Sequence, residues 1–306
     1  MDKNGQPQWL KYLDSQNHSH LTLKLNNITY ETIVVHPDEE GFVRITAVHE
    51  NGTTAWQESI VGLDGSSLPT NDLYIHENGE IFIAGHFSGV ISYQEAEIQT
   101  QTYSLFILRI QPDGAVTTFQ PVADCAMIDH RVTVDQDLNV YVSSDINGPL
   151  VVNGDTLNTE SSWNWERGNL LKFDSSLVFQ WYYNMELQGT EVTFIEIETG
   201  LDKNLCAIGQ LWDESYSSIV TKFSPDGMQV FQKVLGQNVT VSSLDMSSES
   251  HLLITGHFWG TLKVGNDSIL SYGNTDQFVL EMDEDGNLVD LFQTWNVDWF
   301  DRGLVN

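Results

Sequence analysis

A segment that ends in an aromatic residue followed by Gln recurs along the chain. The copies end at Trp56-Gln57, Phe119-Gln120, Phe179-Gln180, Phe231-Gln232 and Phe292-Gln293, with a weaker copy at Trp9-Leu10. Successive aromatic residues are 47, 63, 60, 52 and 61 residues apart. This period is too long for ankyrin or tetratricopeptide units, and it suits a four-stranded propeller blade with insertions. The repeat therefore constrains the fold more than any other feature of the sequence.

A tight-turn signal stands before the aromatic residue in most copies. The turns are Lys3-Asn4-Gly5, Glu50-Asn51-Gly52, Pro112-Asp113-Gly114, Pro225-Asp226-Gly227 and Glu284-Asp285-Gly286. Asn-Gly and Asp-Gly between apolar residues indicate a β-hairpin, because Gly accepts the positive φ of a tight turn. The third copy has Asp174-Ser175-Ser176 instead, so we expect a looser hairpin or another turn type there.

Short runs of β-branched and aromatic residues precede these turns, and they predict strands. One strand per copy comes directly before the turn: Val43 to Val48, Leu105 to Ile110, Leu170 to Phe173, Ile219 to Phe223 and Phe278 to Met282. Four copies also have an earlier pair of strands: Leu73 to Ile75 with Ile81 to Ala84, Val132 to Val134 with Val140 to Ser143, Phe194 to Ile197 with Leu205 to Ile208, and Leu244 to Met246 with Leu252 to Thr255. No stretch has helical periodicity, so the sequence predicts an all-β protein.

Together these patterns predict one β-propeller domain over residues 1–306, with about five four-stranded blades or, alternatively, six. The predicted repeat units are approximately 1–60, 61–122, 123–185, 186–235 and 236–306. The first unit lacks an obvious inner hairpin, and the strand near Trp9 is surplus to five complete units. The chain begins inside a repeat, since Met1-Asp2-Lys3-Asn4-Gly5 aligns with Met282-Asp283-Glu284-Asp285-Gly286, and no signal peptide is visible.

The chain is strongly acidic, with 13 Lys and Arg against 43 Asp and Glu and a net charge of -30. This balance argues against nucleic acid and anionic membrane surfaces as partners. No apolar run is long enough to cross a membrane as a helix. The charge favours a surface adapted to an extracellular, marine or saline setting, and a basic partner or divalent cations are the alternative.

Motifs with defined chemistry are mostly explained by the repeat. Asp283-Glu284-Asp285-Gly286-Asn287 resembles the start of a calcium loop, but it lacks the downstream Glu and recurs in other copies as a hairpin turn. Cys125 and Cys206 lie in different repeats, which disfavours a disulfide. The sequence contains no nucleophile elbow, phosphate loop, zinc-protease motif or dinucleotide fingerprint. We therefore predict no metal, no cofactor and no catalysis.

A few residues remain as candidate binding residues because the repeat does not fully explain them. His86 and His257 occupy matched positions after Gly in two similar ribbons, Ala84 to Val90 and Thr255 to Thr261. Several Trp residues fall outside the repeat pattern, where an exposed ring could stack on a sugar or anchor an interface. These are Trp163, Trp165, Trp212, Trp259 and Trp299.

The run from Leu252 to Gly265, followed by Thr275 to Asn287, resembles the bacterial β-propeller repeat called SBBP. The shared features are an apolar strand ending in Thr-Gly, an aromatic ribbon, an Asp-x-Phe-Val strand and Asp-Gly-Asn. The segment from Ile81 to Phe119 follows the pattern well, and the other copies follow it in part. The resemblance implies a propeller in an extracellular or cell-surface setting, generally without assigned catalysis.

These observations lead to two functional hypotheses. The first is a non-catalytic binding or structural module of an extracellular, cell-surface or virion-like assembly, for example an adhesin, which contacts other protein subunits. The alternative is a carbohydrate-binding or carbohydrate-cleaving propeller with an acidic, Trp-lined site on its top face. Other protein subunits or surface glycans are accordingly the predicted partners, and homo- or hetero-assembly through the termini is a further expectation.

Overall fold

The computed structural model describes residues 21–38, 42–67, 71–125, 127–146, 148–158, 167–187, 190–211, 217–247, 250–265, 267–272 and 274–294. The chain divides into two compact units. Unit 1 comprises Met1–Val132 and Ile146–Asn164, and unit 2 comprises Thr133–Asp145 and Trp165–Asn306. Each unit is described separately, and the single propeller domain with its five repeat boundaries stays a prediction.

Unit 1 is built on an extended antiparallel sheet. Its strands are β1 (Thr22–Asn26), β2 (Glu31–Pro37), β3 (Val43–Val48), β4 (Thr54–Ser67), β5 (Asn71–Ile75), β6 (Ile81–Tyr93), β7 (Ala96–Ile110), β8 (Val116–Asp124), β11 (Leu150–Val152) and β12 (Asp155–Asn158). The order is β1-β2-β3-β4-β6-β7-β8-β11-β12, and β5 pairs with β6. Its core includes Ile33, Ile45, Ile60, Ile83 and Phe106, which are fully buried.

Unit 2 contains three antiparallel sheets and a small ribbon. Its strands are β10 (Val140–Ile146), β13 (Arg167–Phe173), β14 (Phe179–Asn184), β15 (Glu186–Leu187), β16 (Thr190–Thr199), β17 (Leu205–Leu211), β18 (Ser217–Phe223), β19 (Gln229–Val234), β20 (Val239–Met246), β21 (Leu252–Phe258), β22 (Thr261–Val264), β23 (Asp267–Leu270), β24 (Asp276–Met282) and β25 (Leu288–Thr294). β9 (Met127–Val134) and β10 cross the boundary between the units. The sheet orders are β14-β13-β10-β9, β15-β16-β17-β18-β19 and β20-β21-β24-β25, and β22 pairs with β23.

The all-β prediction is confirmed, and the part of the chain that the structure describes contains no helix. None of it therefore has the long apolar helix needed to cross a membrane. The predicted strands that fall within the described residues are present, and most extend a few residues further, whereas the strand predicted near Trp9 lies outside the described residues. The expectation that the first copy lacks an inner hairpin is wrong, because β1 and β2 pair over Thr22–Asn26 and Glu31–Val35. The described strands thus include five consecutive sets of four: β1–β4, β5–β8, β9-β10-β13-β14, β16–β19 and β20-β21-β24-β25.

The predicted hairpin turns within the described residues form where the sequence places Gly, and the turn predicted at Lys3-Asn4-Gly5 lies outside those residues. The positive-φ residues are Gly52, Gly114, Gly227 and Gly286, with φ of 84°, 90°, 85° and 74°. In the third copy Leu177 takes this role with φ 60°, and its amide donates to the carbonyl oxygen of Asp174 at 2.8 Å. The third turn is therefore as tight as the others. It differs in that a leucine, rather than a glycine, adopts the positive φ.

Three of these turns are covered by an aromatic ring from the preceding set of strands. A Cβ built on Gly114 would lie 2.9 Å from the ring of Trp56, and the Trp56 Nε1 donates to Pro112 at 2.9 Å. Trp181 covers Gly227 in the same way, and Phe231 covers Gly286. Gly is required at these turns both by the positive φ and by the ring above it.

The strand register shows that the aromatic–Gln pair is not a uniform structural position. In each set of four, the third strand pairs with the fourth. The fourth-strand residues that pair with the second-last residue of the third strand are Trp56, Thr118, Trp181, Phe231 and Asp290. Phe119, Phe179 and Phe292 therefore lie one or two positions away from it. Phe179 packs on Phe173 of its own sheet, with ring centroids 6.1 Å apart, and Phe292 is exposed.

The two ribbons that are alike in sequence differ in structure. In unit 1 the ribbon continues β6 and β7, and Val90 to Tyr93 also pair with Ile60 to Leu63 of β4. In unit 2 the chain turns at Trp259 and Gly260, and β22 and β23 form a separate two-stranded sheet. The equivalent residues of the two ribbons consequently have different neighbours.

Candidate functional site

The two histidines singled out in the sequence occupy equivalent positions in their sheets. His86 lies in β6 and His257 lies in β21. The glycines before them, Gly85 and Gly256, each pair with a phenylalanine of the third strand. The predicted correspondence is therefore confirmed at the level of strand register, although the surroundings of the two imidazoles differ.

His86 is packed inside unit 1. Its ring centroid lies 5.7 Å from that of His130 and 6.4 Å from that of Tyr103. Only 6% of the residue is exposed, and the described residues provide no hydrogen-bond partner for its Nδ1. Burial, together with the neighbouring His130, lowers the pKa of His86 to about 4. His86 is thus a neutral interior side chain rather than part of an open binding site.

His257 instead borders an open pocket in unit 2, with a volume of about 270 Å³. The described residues that line it are Ser242, Thr255, Gly256, His257, Gln277, Phe278, Val279 and Thr294. Gln277 and Val279 project from the same face of β24 towards it, and Ser242, Gln277 and Thr294 are exposed, whereas the Phe278 side chain is buried in the core on the opposite face. The imidazole of His257 is half-buried, and His257 borders the open space of the pocket.

A β-bulge and a glycine create this pocket. The register of β20 against β21 shifts between Val241 and Ser243, which leaves Ser242 without a cross-strand partner. Gly256 faces Val241 across the ladder. A Cβ on Gly256 would lie 2.3 Å from the carbonyl oxygen of Thr240, so the close approach of the two strands requires Gly there.

Gln277 and Thr294 form a polar pair at one side of the pocket. They face each other directly across β24 and β25. The hydroxyl of Thr294 donates to Oε1 of Gln277 at 3.3 Å. This bond directs Oε1 towards Thr294, so Nε2 and its two donor hydrogens point away from Thr294.

The equivalent position in the neighbouring sheet of unit 2 is closed. Gln210 replaces the histidine there, and its Nε2 donates to the carbonyl oxygen of Ser217 at 3.0 Å. Its Oε1 accepts a hydrogen bond from the Ser218 hydroxyl at 3.0 Å. With both ends of the amide satisfied, Gln210 is a buried structural residue. Among the described residues, the position of Gln210 therefore has no counterpart of the pocket at His257.

The structure places Trp259, the other predicted residue of this ribbon, at the surface just after β21. Its side chain is 39% exposed, and its backbone amide donates to Asn238 at 3.2 Å. Trp259 is not among the described residues that line the pocket. The remaining candidates lie outside the described residues. They are Trp163, Trp165, Trp212 and Trp299.

The possible metal and cysteine sites behave as structural elements. Oδ1 of Asp283 accepts the backbone amides of Asp285 and Asn287 at 3.0 and 2.7 Å, which is a turn-forming arrangement. Among the described residues, no group of three or more His, Cys, Asp or Glu side chains could hold a metal ion. Cys125 and Cys206 are free and buried, and burial raises the pKa of each thiol to about 12.

Sequence reasoning missed most of the residues that line the pocket. Gln277 occupies the variable position of the Asp-x-Phe-Val strand, and Thr294 follows the last aromatic–Gln pair, so no motif marks either residue. A weak signal existed for Ser242, since the alternation of apolar and polar residues in β20 breaks there. The lining residues that are described include no acid and no Trp, unlike the acidic, Trp-lined site of the alternative hypothesis.

Comparison with known proteins yields matches to solved structures alone. No protein-family model matches the chain, and no curated protein matches its sequence. A putative exo-β-1,3-galactanase from Bifidobacterium bifidum S17 is similar over 91% of this chain and 92% of its own, with 13% identity and a TM-score of 0.45. A gluconolactonase from Xanthomonas campestris is similar over 76% and 68%, with 15% identity and a TM-score of 0.43. A xylan β-1,4-xylosidase from Bacillus halodurans C-125 is similar over 90% and 56%, with 11% identity and a TM-score of 0.41.

These findings correct the first functional hypothesis. These three structures are named as enzymes, which stands against a non-catalytic module that acts through protein–protein contacts and agrees better with the carbohydrate-related alternative. Their TM-scores lie below 0.5, so they indicate no activity, substrate or residue role for this chain.

Proposed function

We propose that this chain is a carbohydrate-binding protein and that the pocket around His257 is its binding site. The observation that carries the proposal is the set of hydrogen-bonding groups gathered beside an apolar side chain. An imidazole, an amide and three hydroxyls border the same space as Val279. A sugar ring presents hydroxyls at its edge and C–H groups on its faces, and this combination matches the pocket.

The size of the pocket supports a small ligand. Ligand sites usually measure about 300–1,000 Å³, and 270 Å³ lies just below that range. Such a space suits one sugar ring, with any further rings of a chain outside it. Canonical glycoside hydrolysis uses two carboxyl groups, whereas the described lining supplies imidazole, amide and hydroxyl groups, so we propose binding rather than cleavage.

We also propose that the five four-stranded sets are blades of one β-propeller of SBBP-like repeats, with six blades as the alternative. Two features support this. The sets follow one another along the chain as antiparallel units, and an aromatic ring of one set covers the turn of the next at Gly114, Gly227 and Gly286. Surface glycans would then be the partners, and the extracellular or surface location stays a prediction.

Calorimetric titration with oligosaccharides built on galactose, glucose and xylose tests the proposal. We expect at least one of them to bind the wild-type chain. His257→Ala should weaken that binding about tenfold, because it removes a hydrogen-bonding group and part of the pocket wall.

His251→Ala is the matched control for this titration. His251 immediately precedes β21 and pairs with Glu281 of β24 at 2.7 Å, and it is not among the described residues that line the pocket. Its loss should leave the affinity unchanged. The proposal is contradicted if no saccharide binds, or if both variants bind as tightly as the wild-type chain. Release of reducing ends that is abolished by His257→Ala would contradict binding without cleavage.

A further inference from the structure

We infer that the pocket around His257 selects an uncharged saccharide over the corresponding uronic acid, and that Thr294 is a positioning residue for Gln277 in this selection. The inference rests on the proposed function and adds the chemical class of the ligand to it. It follows from the charge of the lining residues and from the contact between Thr294 and Gln277.

The described lining residues include no Asp, Glu, Lys or Arg. The acid next to Gln277 in the strand, Asp276, is fully buried and therefore turned away from the pocket mouth. Its Oδ2 already accepts the amide of Tyr272 at 2.7 Å and the Nε2 of Gln293 at 2.6 Å. The described residues of the pocket thus include no Lys or Arg that could pair with a ligand carboxylate.

A carboxylate that enters such a site loses hydration without gaining a cationic partner, and this loss is unfavourable. A hydroxymethyl group at the same position loses much less hydration and can exchange hydrogen bonds with the wall. The net charge of -30 adds a long-range repulsion of anions, but salt screens that contribution. Selection by the pocket itself should therefore persist at high ionic strength.

Thr294 determines which donors Gln277 presents. Its hydroxyl holds Oε1 of Gln277, so Nε2 and its two hydrogens point away from Thr294 and serve as the donors for oxygens of the ligand. His257 borders the same space and can donate or accept through its ring nitrogens. An amide donor beside an imidazole complements a pair of sugar hydroxyls.

The test compares sugars that differ only at C6: galactose with galacturonic acid, and glucose with glucuronic acid. Affinities are measured by ligand-observed NMR at low salt and at about 0.5 M NaCl, where the Debye length is only a few Å. We expect at least a tenfold preference for the neutral member of the pair that binds best, and we expect it to persist at high salt. Equal affinities, or a preference that disappears in salt, would overturn the inference.

Gln277→Lys provides a variant that should reverse the preference. Gln277 is exposed, so the substitution is compatible with the fold. The ammonium group would pair with the uronate, and the neutral-to-acid affinity ratio should fall at least tenfold. An unchanged ratio would overturn the role assigned to Gln277. The double variant Gln277→Lys/Lys263→Gln keeps the net charge of the wild-type chain, because Lys263 is an exposed residue outside the described lining, and it should show the same fall in the ratio.

Thr294→Val and Thr294→Ser test the positioning role. Val keeps the shape and removes the hydroxyl, so the neutral sugar should bind about threefold to tenfold more weakly. Ser keeps the hydroxyl and should restore most of the affinity, which a purely structural role would not require. Failure of every sugar to bind overturns the proposed function and the inference together, whereas equal binding of both members of a pair overturns the inference alone.

Discussion

Replacing Gly114 by Ala should lower the free energy of unfolding by about 3 kcal/mol. A left-handed backbone costs a non-glycine residue about 1–2 kcal/mol, and forcing an atom into a packed site adds about 1–3 kcal/mol. Both costs apply because Gly114 has φ 90° and its Cβ would lie 2.9 Å from the Trp56 ring. Chemical denaturation of the two proteins measures the difference.

Gly154→Ala separates the two costs. Gly154 belongs to the same unit and has φ 85°, but no atom lies within 4 Å of the position of its Cβ. Gly154→Ala should therefore lower the free energy of unfolding only by the cost of the backbone strain, about 1 kcal/mol. If the two substitutions destabilise the protein equally, the ring of Trp56 does not hold the turn, and the proposed contact between successive sets fails.

His86 should make the stability of the protein depend on pH. In the unfolded chain its imidazole takes up a proton near pH 6.5, whereas in the folded chain the pKa is about 4. As the pH falls from 6.5 to 4, protonation therefore favours the unfolded state. The stabilisation due to neutral His86 is complete above pH 6.5 and is lost across this window, by about 3 kcal/mol in total.

Denaturation of the wild-type chain and of His86→Gln between pH 7.5 and about 4 measures this contribution. The difference in unfolding free energy between the two proteins should change by about 3 kcal/mol over the window. His257→Gln, at the equivalent position beside the open pocket, is the control for loss of a histidine. Parallel profiles for the wild-type chain and His86→Gln would show that the imidazole is not held neutral by burial.

The strands were predictable from the sequence because each is a short alternating run that ends at a turn with a strong local signal. Gly52, Gly114, Gly227 and Gly286 adopt the positive φ that Asn-Gly and Asp-Gly require. Leu177 shows the limit of this reasoning, since a buried leucine takes the same conformation where no Gly is present. Packing of that side chain compensates for the strain.

The register of the repeat was less predictable than its period. The aromatic–Gln pairs suggested one equivalent position, but the ladder places Trp181 rather than Phe179 over the next turn. A shift of one or two residues between turn and aromatic leaves the spacing of the copies almost unchanged. Which side chain covers the glycine depends on the cross-strand partner, and that partner is set by the bulge after each turn.

The candidate site could be predicted only in part. His257 was identified from its matched position, but the same pattern marked His86, which is buried against His130. The difference arises because one ribbon continues its sheet and the other folds into a separate hairpin. Gln277 and Thr294 meet only through strand pairing, and a single sequence does not reveal such contacts.

An amide-resolved NMR titration with the best-binding neutral sugar tests the central claim most directly. We predict that the backbone amides of Gly256, His257 and Gln277 shift in a saturable manner, together with the side-chain amide of Gln277. The equivalent residues of the other sheets, Gly85 and Gly209, should not shift. Saturable shifts that spare the pocket and occur elsewhere in the chain would contradict the account.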